Sequence, residues 1–127
     1  MSTLTQEQID ELSRIMDARW ESEMNEIRAV VERARDDRRQ AALLGRPADR
    51  LDEALREIAQ EAPYAIVRQN VQDVQDIEGA RQRIAAGTYG ICIDCGGDIG
   101  YERLLAYPTA KRCIRCQREH ERRRAGG

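Results

Sequence analysis

The first 86 residues place apolar side chains three or four positions apart, which is the spacing of an amphipathic α-helix. Thr5 and Gln8 fit a capping box that begins the first helix. Its apolar stripe is narrow and contains few large side chains, and a stripe of this kind predicts a coiled-coil seam rather than a globular core. The stripe consists of Ile9, Leu12, Met16, Trp20, Met24, Ile27, Val30 or Val31, Ala34, Ala41 and Leu44.

Gly45-Arg46-Pro47 interrupts this pattern, because glycine favours a helix end and proline an early position of the next helix. A second helix is predicted to follow and to end at Gly87, with Pro63 kinking it or shifting its register. Two helices of roughly 38 residues make an antiparallel hairpin about 55 Å long, with its tip near residues 45–54. The second stripe consists of Leu51, Leu55, Ile58, Ala62, Ile66, Val71, Val74, Ile77 and Ile84.

After Gly87 the helical period disappears, and glycine, tyrosine and cysteine cluster instead. The apolar residues of this segment are too few to fold unaided, so a covalent or metal staple is expected. A last short helix is predicted from about Ile114 to Arg124. The predicted fold is therefore all-α: a long antiparallel coiled-coil hairpin over residues 1–86, then a small four-cysteine finger with a C-terminal helix over residues 87–127.

Composition and charge narrow the classes of protein that fit. Of the 127 residues, 35% are charged and only 4% are aromatic, which favours an elongated helical shape over a compact globule. No apolar run reaches the roughly 18 residues of a membrane span, and the N-terminus lacks a secretory signal pattern. We therefore expect a cytoplasmic protein with no membrane partner and with reduced thiols.

The four cysteines form two C-x2-C pairs, Cys92 with Cys95 and Cys113 with Cys116. Each pair offers two corners of a tetrahedron, so together they predict one structural Zn²⁺ with every corner filled by protein. A redox dithiol, adventitious disulfides or an iron–sulfur centre are the alternatives. The single histidine, His120, follows Cys116 by four residues and could replace a lost cysteine, although its surroundings fit a solvated helix residue better.

Other candidate chemistry is sparse. One histidine cannot build a nucleophilic triad and no phosphate-binding glycine loop is present, so we expect no enzyme activity. Asp49 and Asp52 share a helix face at the predicted tip, but an N-cap followed by an acidic first turn is the better explanation of them from residue chemistry alone. Residues 111–127 carry seven basic and two acidic side chains, against 14 basic and 21 acidic in residues 1–110, so only the tail would attract nucleic acid.

A denser pattern surrounds the cysteines over about residues 86–118: Tyr89-Gly90, Cys92, Cys95-Gly96, Ile99-Gly100, Arg103-Leu104, Ala106, Pro108-Thr109-Ala110, Cys113 and Cys116. This pattern resembles the zinc-finger signature of the DksA/TraR family of bacterial RNA polymerase regulators. The family's coiled-coil tip carries a D-x-x-D-x-A motif, which Asp49, Asp52 and Ala54 match. The resemblance implies that RNA polymerase is the partner and that the acidic tip enters its secondary channel, near the catalytic magnesium, to modulate initiation.

The resemblance also bears on the nucleotide ppGpp. Family members that work with ppGpp use basic residues at positions that correspond here to Asp76, Tyr107 and Gln117, none of which carries a positive charge. We therefore expect at most a weak ppGpp linkage. We also expect a monomer without sequence-specific DNA binding.

Two alternatives remain open. A nucleic-acid-binding zinc module would use the basic residues Arg112, Arg115, Arg118 and Arg122–Arg124. A zinc-stapled coiled-coil adaptor would pair its apolar stripe with a second chain.

Overall fold

The structure is a computed structural model, and it describes residues 3–43 and 62–126. These residues form four helices: α1 (Gln6–Leu43), α2 (Ala62–Ala86), α3 (Tyr101–Ala106) and α4 (Ile114–Gly126). Within the same ranges, extended pairing is limited to one isolated antiparallel bridge between Ile91 and Asp98. The predicted all-α fold is confirmed.

The start of α1 is fixed by the capping box that the sequence predicts. The Gln8 amide donates to Thr5 Oγ1 at 3.1 Å, and the Thr5 amide donates to Gln8 Oε1 at 2.9 Å. Each side chain thus satisfies a backbone group that lacks a partner at a helix start. The helix begins where the sequence places it.

The end of α2 is fixed by Gly87. Its φ of 75° lies in the left-handed region, which glycine adopts without a steric penalty. The Gly87 amide donates to the Ile84 carbonyl at 3.1 Å, and the Thr88 amide donates to the Arg83 carbonyl at 2.9 Å. This pair of bonds is a Schellman motif, and it turns the chain out of the helix into the cysteine segment.

The chain divides into two compact units, one made of Met1–Arg19 with Asp76–Gly127 and the other of Trp20–Gln75. In the first unit Arg81 Nη2 lies 2.7 Å from Asp17 Oδ1, and in the second Asn70 Nδ2 donates to Glu26 Oε2 at 2.5 Å. Each unit therefore contains a side-chain contact between α1 and α2.

The first unit has a small apolar core that combines helix ends with the cysteine segment. Leu12 and Met16 of the stripe predicted for α1 are fully buried, as is Leu104 of α3, whereas the stripe residue Ile9 is half-buried. The buried members are Leu12, Met16, Ile77, Ala80, Tyr89, Cys92, Ile99, Leu104 and Ala110. The finger segment therefore does not form its core alone.

The buried face of α2 differs in part from the predicted stripe. Val74 and Ile77 are buried as expected, but Ile66 and Val71 are 62% and 38% exposed, and Asn70 is buried instead. The hydrogen bond from Asn70 to Glu26 satisfies the amide, so a polar side chain occupies a position that hydropathy alone would reject.

The remaining predictions concern the short helices, Pro63 and the hairpin tip. The short helix α3 was not predicted, whereas α4 begins at the predicted Ile114 and ends two residues beyond Arg124. Pro63 is the second residue of α2, and residues 44–61, which include the predicted tip, lie outside the described residues. Among the helices described, none has both the length and the apolar character needed to cross a membrane.

Candidate metal centre

The first cysteine pair lies in a tight turn that hydrogen bonds hold closed. The Cys92 amide donates to the Gly97 carbonyl at 2.8 Å, and the Gly96 amide donates back to the Cys92 carbonyl at 3.0 Å. Gly96 has a φ of 73°, a conformation that side-chain-bearing residues rarely adopt. As a result the next amide, that of Gly97, points at the Cys95 sulfur from 3.4 Å.

The second cysteine pair lies at the start of α4, with Cys113 just before the helix and Cys116 in its first turn. The Gln117 amide donates to the Cys113 carbonyl at 2.9 Å and so closes this turn. The positive end of the helix dipole faces the two sulfurs and favours their ionised form. Helix geometry therefore prepares this pair for a cation.

Two contacts join the first pair to the second. The Ile93 amide donates to the Lys111 carbonyl at 3.0 Å, and Arg112 Nε lies 2.8 Å from Asp94 Oδ2. Both contacts connect residues of the first turn to residues just before Cys113. They bring the two turns together face to face.

The four sulfur atoms lie within 4.8 Å of one another, and Cys95 Sγ is 3.9 Å from Cys113 Sγ. Zinc–sulfur bonds of about 2.3 Å in a tetrahedron place sulfur atoms about 3.8 Å apart. The donor set and its spacing therefore fit a single zinc ion with no open coordination position. A closed four-sulfur site of this kind is structural rather than catalytic.

The thiols ionise unequally. Burial opposes ionisation of Cys92, but hydrogen bonds from the backbone of Cys95 and Cys113 outweigh it and lower the Cys92 pKa to about 6. The hydrogen bond between Cys116 and the Cys113 sulfur raises the Cys116 pKa to about 12. Negative charges this close repel one another, and all four sulfurs ionise together only around a cation.

A buried tyrosine and two arginines hold the segment between the cysteine pairs. Tyr89 donates its hydroxyl hydrogen to the Pro108 carbonyl at 2.8 Å. Arg83 Nη2 donates to the Thr109 carbonyl at 3.4 Å, and Arg103 Nε donates to the Arg112 carbonyl at 3.0 Å. Sequence reasoning missed both arginine contacts, because nothing local distinguishes an arginine that bonds a distant carbonyl from one that faces solvent.

The other predicted site residues fall into two groups. Asp49, Asp52 and Ala54 lie outside the described residues. His120 is half-buried on α4 and lines a cleft together with Cys116.

The basic residues that a nucleic-acid module would use are partly neutralised. Arg112 pairs with Asp94 at 2.8 Å, while Arg122 and Arg123 each lie 3.8 Å from Glu119. Phosphate binding would have to compete with these carboxylates. The pairing gives no support to a nucleic-acid interface on α4.

Comparison with known proteins gives consistent matches. The profile of the prokaryotic dksA/traR C4-type zinc finger matches residues 87–122. The chain is 42% identical over 50 residues to the RNA polymerase-binding transcription factor DksA of Caulobacter vibrioides, a match that covers 39% of this chain and about a third (35%) of that protein's length. It is 29% identical over 119 residues to the Escherichia coli protein of the same name, covering 90% of this chain and 72% of that protein.

A solved structure has a similar fold. The structure of transcription factor DksA2 from Pseudomonas aeruginosa aligns with a TM-score of 0.68 and 28% sequence identity, covering 94% of this chain and 88% of that one. The fold and the site thus define a helical-hairpin protein with a four-cysteine zinc finger. Residues 87–122 match the zinc finger of the DksA/TraR family, and the chain is similar to DksA proteins along most of its length. The four clustered cysteines of this finger support one structural zinc ion.

Proposed function

We propose that this chain is a DksA-like transcription regulator that binds RNA polymerase and has no catalytic activity of its own. Its hairpin tip, with Asp49, Asp52 and Ala54, enters the secondary channel of the polymerase and modulates initiation. Its zinc ion stabilises the opposite end of the hairpin. The zinc ligands in this proposal are Cys92, Cys95, Cys113 and Cys116.

One observation carries the proposal. The similarity to the E. coli protein, which is named for its binding to RNA polymerase, is not confined to the finger but runs along 90% of this chain. A zinc finger used in an unrelated context would share the cysteine signature alone. Similarity through the helical hairpin supports a shared way of using the hairpin.

The proposed role of the tip also has a physical basis. Two aspartates three positions apart lie on one face of a helix. Carboxylate oxygens are preferred ligands of hard cations such as magnesium, so an acidic tip suits a cation-bearing site. A pair of helices is narrow enough to reach into a channel that a globular domain could not enter.

The charge of the chain bears on two other possible partners, DNA and ppGpp. The excess of acidic residues over residues 1–110 disfavours DNA, so we propose that the chain acts on polymerase rather than on promoter sequence. We also propose at most a weak ppGpp linkage. Asp76 is acidic, Tyr107 is uncharged, and the Gln117 side chain donates to Glu121 at 3.0 Å. None of the three supplies a cation for a nucleotide phosphate.

Transcription in vitro tests the proposal. Purified polymerase would be assayed on a ribosomal RNA promoter and on a control promoter, with wild-type protein, Asp52→Asn and Asp37→Asn. Asp37 is an exposed carboxylate on α1, so its substitution makes the same change of charge away from the tip. We expect Asp52→Asn to reduce the promoter-selective effect at least about tenfold, as when one partner of a charged contact is lost, and Asp37→Asn to leave it intact.

Zinc content and helical circular dichroism of the three proteins provide the control for folding. Full activity of correctly folded Asp52→Asn would remove the tip from the mechanism. No effect of the zinc-loaded wild-type protein on a competent polymerase would reject polymerase regulation itself.

A further inference from the structure

A cleft of about 440 Å³ opens beside the zinc site, between the first cysteine turn and one face of α4. Only one of the four cysteines, Cys116, contributes to its wall. The chain's single histidine lies in the same wall, and the function proposed above does not use it. The residues that line the cleft are Ile93, Asp94, Arg112, Cys116, Glu119, His120 and Arg123.

The position of His120 on α4 directs it toward Cys116. Residues four apart on a helix share a face, with about 5–6 Å between their Cβ atoms. A helical side chain also leans toward the N-terminus of its helix, so the His120 side chain leans over the turn that holds Cys116. Both residues are half-buried, and both line the cleft.

The chemistry of the imidazole suits the metal that the cysteines bind. A neutral imidazole nitrogen is a common zinc ligand, and sites with three cysteines and one histidine are tetrahedral like sites with four cysteines. Zinc-bound histidines usually donate the other ring N–H to a carboxylate. The carboxylates of Asp94 and Glu119 line the same cleft. The cleft therefore contains both a substitute ligand and acceptors that could orient it.

We propose that His120 is a reserve zinc ligand that is specific to the Cys116 corner of the site. When the Cys116 sulfur is removed or blocked, the imidazole takes its place and the finger keeps its zinc on three cysteines and one histidine. The substitution is limited to this corner because the cleft touches no other cysteine. Cys92, which is 2% exposed and lies in the first turn, has no comparable neighbour, since the chain has no second histidine.

Metal binding by the full-length chain tests this inference. Cys116→Ala and Cys92→Ala would each be made with and without His120→Ala, then dialysed in zinc-buffered solution and assayed for metal content. We expect Cys116→Ala to retain about one zinc per chain and the Cys116→Ala/His120→Ala double variant to bind at least about tenfold more weakly. Cys92→Ala should lose zinc whether or not His120 is present, and His120→Ala alone should keep it.

Cobalt substitution identifies the donor atoms. Co²⁺ in Cys116→Ala should show the weaker sulfur charge-transfer absorption and the higher-energy ligand-field bands of a site with three sulfurs and one nitrogen. The Cys116→Ala/His120→Ala double variant should lack the bands that come from the nitrogen donor.

Three results would overturn the proposal. Equal zinc binding by Cys116→Ala with and without His120→Ala would mean that water or a carboxylate fills the corner. Loss of zinc from Cys116→Ala as complete as from Cys92→Ala would mean that nothing fills it. A cobalt spectrum of Cys116→Ala that is unchanged by the further substitution His120→Ala would mean that the imidazole does not bind the metal. All the readouts are of metal binding, so they are independent of polymerase regulation.

Discussion

Replacing Tyr89 by phenylalanine removes one hydroxyl from the core beside the zinc site. Tyr89 is 2% exposed, and its hydroxyl donates to the Pro108 carbonyl at 2.8 Å. Pro108 is itself buried. Without the hydroxyl, this carbonyl loses its donor in a place that water does not reach easily. A buried acceptor left unsatisfied costs the folded state its full desolvation penalty.

We therefore expect Tyr89→Phe to lower the free energy of unfolding by about 1–3 kcal/mol. Tyr101 offers a matched comparison, because its hydroxyl donates to Glu11 Oε2 at 2.7 Å in an exposed position. Water can replace an exposed hydrogen bond, so Tyr101→Phe should cost much less. The two variants make the same chemical change and differ in burial.

The buried hydroxyl also predicts a dependence on pH. Burial, opposed by the nearby Arg83 guanidinium, raises the pKa of Tyr89 to about 12, whereas tyrosine in an unfolded chain has a pKa of about 10. The folded state thus favours the protonated form. The protonated Tyr89 hydroxyl therefore makes its full contribution to the free energy of unfolding below about pH 10, and this contribution is lost as the pH rises through about 12. Tyr89→Phe should lack this part of the alkaline decline.

Urea unfolding of the zinc-saturated proteins, followed by far-ultraviolet circular dichroism, would measure both effects. The measurement would be made near neutral pH and at intervals between about pH 10 and 12. A cost for Tyr89→Phe no greater than for Tyr101→Phe would refute the argument from burial. An identical alkaline decline in Tyr89→Phe and wild type would refute the argument from pKa.

Two further substitutions test the local geometry. Thr5→Ala removes the acceptor of the Gln8 amide and should destabilise the start of α1 by about 1 kcal/mol. Hydrogen exchange of the amides in the first turn should then be faster. Thr5→Asp keeps an acceptor at this position and should preserve the protection of these amides. Gly96→Ala introduces a side chain at a φ of 73°. No atom lies within 4 Å of the added Cβ, so its cost is backbone strain, of about 1–2 kcal/mol, rather than a clash. This strain should make the variant lose zinc to a chelator faster. The helical substitution Gly79→Ala is the control, and chelation as slow in Gly96→Ala as in Gly79→Ala would contradict the strain.

Local patterns predicted the start of α1 and the end of α2 because the deciding interactions are themselves local. The Thr5 and Gln8 capping box and the Gly87 Schellman motif each involve residues within a few positions of one another. The spacing of the cysteine pairs was equally informative, since two residues between cysteines suffice to form a turn. The structure brings all four sulfurs together as that spacing implied.

Features that depend on distant partners were not predictable in the same way. Asn70 is buried because Glu26, 44 positions away, accepts its hydrogen bond. Hydropathy alone favours the neighbouring Val71 for that face, and Val71 is 38% exposed. The six residues of α3 are too few to show a helical period, and packing of Leu104 into the core accounts for the helix.

The packing around the finger explains how so short a segment keeps a defined structure. Zinc fixes four sulfur atoms, but it does not cover the remaining apolar side chains of a segment of about 30 residues. In the first unit, Leu12 and Met16 of α1 and Ile77 and Ala80 of α2 supply buried side chains that the cysteine segment lacks.

Hydrogen bonds attach the same elements to one another. The Thr3 amide donates to Asp98 Oδ1 at 3.0 Å, and Tyr101 donates to Glu11 at 2.7 Å. The predicted boundary between residues 86 and 87 marks the change in sequence pattern, and whether it also divides independent domains stays a prediction. Because the core is shared, zinc binding and the packing of the helix ends should stabilise each other. A finger built in this way anchors the start of α1 and the end of α2.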